Sequence, residues 1–259
     1  ISCFDLKFLI GGRGGIGRRA ALRSLWTNSP WRFKSSRPHQ NQKAYTYLYM
    51  GRRIEICAGL GTGKTTLARA LANQGFIPVF EDFLDNPYLK AFYENPSPVN
   101  ALHKDTWFWQ KQSKQLADLK DKKGDFIIDY AGYLSMSYID AGVNIPANKA
   151  ALVRQWQETL NEIGAPDVLI VLEIPVEDQL KRIQTRGRMD ETDLPRAFVS
   201  ALNTAIENRL KTLPATQTVI HIDARRDFND HAEISRIKKQ ISNALKAGRR
   251  AKNSYLNFK

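Results

Sequence analysis

The residues Ala58-Gly59-Leu60-Gly61-Thr62-Gly63-Lys64-Thr65-Thr66 bring three glycines, one lysine and three threonines into nine consecutive positions. That mixture suits a chain of phosphates. Glycines let backbone N–H groups close around anionic oxygens, and a helix beginning at Lys64 would aim its positive end at the same anion. Lys64 is expected to reach the β- and γ-phosphates, and the Thr65 hydroxyl to take a place on Mg²⁺. The run is a Walker A loop with one departure, Ala58 for the leading glycine, and Ala58 is small enough to keep the turn. Gly59, Leu60, Gly61, Thr62, Gly63, Lys64, Thr65 and Thr66 are therefore candidate contacts to ATP. A glycine-rich turn with no ligand is the alternative, and an intact Gly-Lys-Thr after a strand argues against it.

Such a loop works only between a buried strand and a helix. Arg53–Ala58 reads as that strand and Lys64 to about Asn73 as that helix. Further strands are expected at Ile77–Phe80, Asp125–Asp129, Val168–Glu173 and Thr218–Ile222. Helical patterns fall at Asn86 to about Tyr93 (or a turn), Ala101–Lys120, Lys149–Ile163, Val176–Arg186, Leu194–Leu213 and Ala232–Ala247. Strands alternate with helices and no repeat or linker intervenes. This implies one α/β domain over 50–247, doubly wound around a five-stranded, mainly parallel sheet. A short basic tail, 248–259, is expected to fray.

The chain has 259 residues, 42% hydrophobic and 25% charged, as in ordinary globular proteins. Its net charge is +13, but residues 1–49 hold nine Lys and Arg against Asp5 alone, leaving only +5 for the rest. That excess fits a phosphate site and does not call for nucleic acid. The longest apolar run, Val168–Val176, is too short to span a bilayer and is broken by Glu173. Two cysteines, Cys3 and Cys57, suit a reducing compartment, so a cytoplasmic protein is expected.

Residues 1–49 have no sustained period and are expected to be non-structural. Trp31–Gln40 permits codons reading GGTTCAAATCC and then CGTCCTC and CCA, like the end of a transfer-RNA gene. Gly11-Gly12-Arg13 permits GAGGACG, which complements CGTCCTC. A start at Met50 follows. The alternative is an Arg-rich mitochondrial transit peptide, which would place the protein in the matrix.

Other blocks narrow the chemistry. Val79-Phe80-Glu81-Asp82-Phe83 closes the second strand, and Asp85-Asn86-Pro87-Tyr88-Leu89-Lys90-Ala91-Phe92-Tyr93-Glu94-Asn95-Pro96 follows. Arg182-Ile183-Gln184-Thr185-Arg186-Gly187-Arg188-Met189-Asp190-Glu191 comes later, after Pro166–Glu173. Together with the Walker loop these resemble the deoxynucleoside kinase family, from Met50 to about Ile222. The resemblance implies a P-loop kinase that moves the γ-phosphate of ATP, with Mg²⁺, to the 5′-hydroxyl of a nucleoside. It makes Glu81 the general base, at the strand end where open α/β sheets place ligands. It makes Tyr93 and Glu191 the holders of the 3′-hydroxyl, and Asp129 the acid that assists Mg²⁺. Arg182, Arg186 and Arg188 fall in the family's lid and could clamp the transferring phosphoryl group. The expected partner is a small nucleoside, and a homodimer stays open.

Two departures stand against the family pattern. Tyr130 replaces an arginine near the 5′-hydroxyl, and Asp105 replaces the glutamine that pairs with the base. An ionised Asp105 accepts but does not donate, which would favour a base with an amino donor: adenine, cytosine or guanine. Trp107, Phe108 and Trp109 are either a base-stacking wall or core. A nucleoside monophosphate kinase of the thymidylate kinase type and an ATP-binding regulatory protein without turnover are the competing readings.

Overall fold

A strand with apolar side chains on both faces needs cover on both sides, and β1 (Arg52–Cys57) is such a strand. Ile54 and Ile56 pack on one side of it, Cys57 on the other, all fully buried. The computed structural model describes residues 51–81, 83–95, 97–142, 146–187 and 194–256. Around β1 it places β2 (Ile77–Val79), β3 (Asp125–Ile128), β4 (Val168–Glu173) and β5 (Val219–Asp223), in the order β2-β3-β1-β4-β5. Every pairing is parallel, so the mainly parallel expectation is met in full among the described residues.

Eight helices occupy the described residues: α1 (Lys64–Ala72), α2 (Leu89–Glu94), α3 (Pro98–Asp118), α4 (Gly132–Gly142), α5 (Pro146–Ile163), α6 (Val176–Arg186), α7 (Arg196–Leu210) and α8 (His231–Leu256). A 3₁₀ turn, Phe83–Asp85, precedes α2. α1 and α8 cover one face through Leu67, Leu71, Ile234, Ile237 and Ile241. α4 and α7 cover β1 and β4 on the other face. α3 lies over β3 through Leu116 and Leu119, and α5 packs outside α3 and α4 through Leu152 and Trp156. The strand order reverses at β1, between β3 and β4, so the loop after β1 sits where such sheets bind ligands.

Two helices depart from expectation. No helix was expected at Gly132–Gly142. Its residues Leu134, Met136, Ser137 and Ile139 are buried on several sides, so it has no polar face to betray a period. The last helix runs on to Leu256, past the expected end at Ala247. The expectations for residues 1–49 fall outside the described residues.

Glu55 is an exception to the apolar rule on β1. It is 1% exposed, and its carboxylate lies 3.8 Å from the Arg53 guanidinium. Burial raises its pKa above the ordinary 4.5, and Arg53 together with the Gly132 backbone N–H offsets only part of this. The folded chain therefore holds that proton more tightly than the unfolded one, and stability falls as pH rises above 4.5 toward the folded value. Glu55→Gln should raise stability at pH 8 by about 1 kcal/mol, or roughly 2–4 °C in Tm. Thermal melts at pH 5 and 8 check this, since the gain should shrink at the lower pH.

Candidate active site

The loop between β1 and α1 is shaped by its glycines and by what lies beneath them. Gly61 and Gly63 have φ of 70° and 91°, where a side chain would be strained. A Cβ on Gly59 would lie 2.6 Å from Asn203 Oδ1, and one on Gly61 2.7 Å from the Gln179 carbonyl oxygen. α6 and α7 thus press the loop from behind. The Thr62 hydroxyl donates to the Gly59 carbonyl at 2.9 Å, closing the turn. Lys64 Nζ donates to the carbonyls of Ala58 and Gly59 at 3.0 and 2.8 Å. Burial lowers the Lys64 pKa, and Glu81 and Asp129 oppose that fall.

Asp129, at the end of β3, ties three elements together. Its Oδ2 accepts from the Thr65 hydroxyl at 3.0 Å, and its Oδ1 from the Glu81 backbone N–H at 2.7 Å. A hydroxyl and a carboxylate beside a phosphate loop are the hard oxygen donors that suit Mg²⁺, which takes few protein ligands. No cluster of three or more His, Cys, Asp or Glu suited to a metal occurs among the described residues.

Glu81 follows β2, and its Oε1 accepts from Gln112 Nε2 at 2.6 Å. Gln112 is 3% exposed, and its own Oε1 accepts from the Ser135 hydroxyl at 2.5 Å. Two helices thus set the position of this carboxylate. Desolvation raises the Glu81 pKa to about 7, against the pull of Lys64, with Asp129 adding to the rise and the Gln112 bond opposing it.

These groups share the walls of a cavity of about 280 Å³. Lys64, Thr65, Asp129 and Glu81 line it together with Tyr93, Asp105, Phe108, Gln112 and Arg186. Residues as distant in sequence as Leu60 and Arg186 meet here because the carboxyl ends of the strands and the helices α2, α3 and α4 converge on this cavity. Asn86 locks α2 to α3: its Nδ2 donates to the Lys104 carbonyl at 3.2 Å, while its Oδ1 accepts from the Tyr88 N–H at 3.0 Å.

Other expected residues fall elsewhere. Arg182 donates to the carbonyls of Thr62 and Ala224, at 3.4 and 2.9 Å, so it braces the phosphate loop. Thr66 is exposed on α1 and does not line the cavity. Of the three aromatic residues on α3, only Phe108 reaches the cavity. Trp109 instead donates to Thr159 on α5 at 3.1 Å, and Trp107 packs edge-on against Phe108. Tyr130, in contrast, does line the cavity, though it is only 1% exposed and its hydroxyl donates to Gln115 Oε1 at 3.0 Å. Arg188 and Glu191 lie outside the described residues. Gln112, Ser135 and Lys104 were not anticipated. Only the seven-residue step from Asp105 to Gln112, two turns on one helix face, hinted at a shared wall.

Residues 54–246 match the family model for deoxynucleoside kinase. The chain is 27% identical over 206 residues to a deoxyadenosine/deoxycytidine kinase of Bacillus subtilis, covering 74% of this chain and 92% of that protein. It is 28% identical over 184 residues to a deoxyguanosine kinase of the same organism, covering 68% and 88%. A solved deoxyadenosine kinase from M. mycoides with bound dCTP shares the fold at a TM-score of 0.63 and 18% identity, over 74% of this chain and 99% of that one. Neither the monophosphate kinase nor the regulatory alternative is favoured by these likenesses.

Proposed function

The chain belongs to the deoxynucleoside kinase family, and from that premise we propose that it transfers the γ-phosphate of ATP, with Mg²⁺, to the 5′-hydroxyl of a nucleoside. The convergence of Lys64, the Thr65–Asp129 pair and Glu81 on one cavity carries this reading. Glu81 accepts the hydroxyl proton, and the Gln112 amide holds its carboxylate toward the acceptor. Thr65 and Asp129 would supply oxygens to hold Mg²⁺, whose charge would neutralise that of the phosphates. Lys64 stabilises charge on the transferring group, and Arg186, on the same cavity, is placed to add to it. Tyr93 is placed to hold the sugar.

The test is a phosphate-transfer screen of the purified chain against deoxynucleosides and their monophosphates, with ATP and Mg²⁺. Nucleoside monophosphates should appear as products. Transfer to monophosphates alone would overturn the reading. Gln112→Leu deletes the donor on Glu81 and should cut kcat about 10- to 100-fold, or roughly 1–3 kcal/mol, with ATP binding kept. Steady-state kinetics beside an ATP titration check it.

The phosphotransfer unit is proposed to lie within 50–247. No helix among the described residues is long and apolar enough to cross a membrane. The cytoplasm is the proposed compartment, supported by Cys57, a free buried thiol.

A further inference from the structure

Lys104 and Asp105 form an ion pair on the cavity wall. They are 8% and 5% exposed, and Lys104 Nζ donates to Asp105 Oδ1 at 2.5 Å. The other oxygen, Oδ2, is buried with no hydrogen-bond partner among the described residues. Lys104 Nζ also lies against the rings of Phe92, Tyr138 and Phe108, at 4.8, 5.6 and 5.9 Å from their centroids. As a stabilising device this is poor. Apolar residues often replace a buried pair without loss, and an unpartnered buried oxygen carries a further cost. A group facing a ligand accounts for both features.

Position identifies which part of the ligand. Gln112, which touches Glu81, lies seven and eight residues beyond the pair on α3, roughly 10–12 Å along the helix axis. With the 5′-hydroxyl at Glu81, the pair stands at the base end of a nucleoside, among aromatic faces on which a base can stack. This inference rests on the nucleoside reading of the cavity.

The order of groups across the pair is a cationic donor, a carboxylate oxygen shared with that donor, and a free carboxylate oxygen. A 2-amino-6-oxopurine presents the complement in the same order. Its 6-oxygen accepts from Lys104, its ring N1–H donates to Oδ1, and its 2-amino group donates to Oδ2. Thymine and uracil would set a second carbonyl oxygen against Oδ2. Adenine offers one amino donor and one ring acceptor, leaving a carboxylate oxygen unmatched, and cytosine in either orientation sets an acceptor against an acceptor. We propose that the Lys104–Asp105 pair reads the base edge and selects guanine nucleosides. The amino-donor preference expected from Asp105 alone is thereby narrowed to one base.

The experiment measures kcat/KM with ATP and Mg²⁺ for deoxyguanosine, deoxyinosine, deoxyadenosine and thymidine. Deoxyinosine differs from deoxyguanosine only in lacking the 2-amino group, so the unaltered enzyme supplies the decisive ratio. Deoxyguanosine should exceed deoxyinosine about 10-fold or more, because the analogue leaves Oδ2 unpaired, and thymidine should rank last. Asp105→Asn should bring that ratio toward one, and Lys104→Gln should lower the preference for deoxyguanosine over 2,6-diaminopurine deoxyriboside. Equal kcat/KM for deoxyguanosine and deoxyinosine would overturn the inference and leave the nucleoside kinase standing. Failure of every nucleoside to accept phosphate would instead overturn the reading of the cavity, and the inference with it.

Discussion

Lys64→Ala should lower kcat by about 10²–10³-fold, as loss of one preorganised charge on a developing oxyanion does elsewhere. The lysine is the basic side chain that the phosphate loop itself contributes, and Glu81 and Asp129 oppose the fall in its pKa that burial causes. Its own bonds in the protein are to two backbone carbonyls, Ala58 and Gly59, and Gly59 keeps the Thr62 hydroxyl as a second donor. The change should therefore cost no more than about 1 kcal/mol of stability. Lys64→Arg should not restore activity, because a planar fork does not replace a compact ammonium inside so tight a loop. Steady-state kinetics with matched melting curves separate the two effects. A variant that turns over at the parental rate would place the chemistry elsewhere.

How much of this could be read without coordinates depended on whether a residue's meaning was local. β4 was legible because parallel strands buried on both faces must be near-continuous apolar runs, and β1, which carries three charged residues, because it leads straight into the phosphate loop. The phosphate loop was legible because its glycines serve a turn that only nearby residues define. Gly132–Gly142 was not, since a helix buried on several sides shows no 3.6-residue contrast. Gln112 and Lys104 were illegible for another reason. Each is an ordinary polar residue of a long helix, and its role depends on how α3 is rotated over Glu81 and against α4. Trp107 and Trp109 show the converse, for a run of aromatic residues on a helix necessarily points in several directions, and only Phe108 faces the cavity.

Glu81→Gln isolates the proton-transfer step. The substitution keeps the side chain's size and leaves a carbonyl oxygen to accept from Gln112 Nε2, so the Ser135–Gln112 arrangement survives. The backbone N–H bond to Asp129 is untouched. Only the base is lost. General-base catalysis contributes about 10²–10⁴-fold, so kcat should fall by that factor while KM for the nucleoside stays close to the parental value. An unchanged kcat with a raised KM would make Glu81 a binding group instead. Stability should move the other way. With a folded pKa of about 7 against the ordinary 4.5, the folded chain holds this proton more tightly, and ionising it costs stability as pH rises through that window. In metal-free buffer at pH 8 the variant should therefore melt no lower than the parent. Lost turnover with an equal or higher Tm would assign Glu81 to the chemistry, whereas lost turnover with a lower Tm would mean that the carboxylate holds the fold.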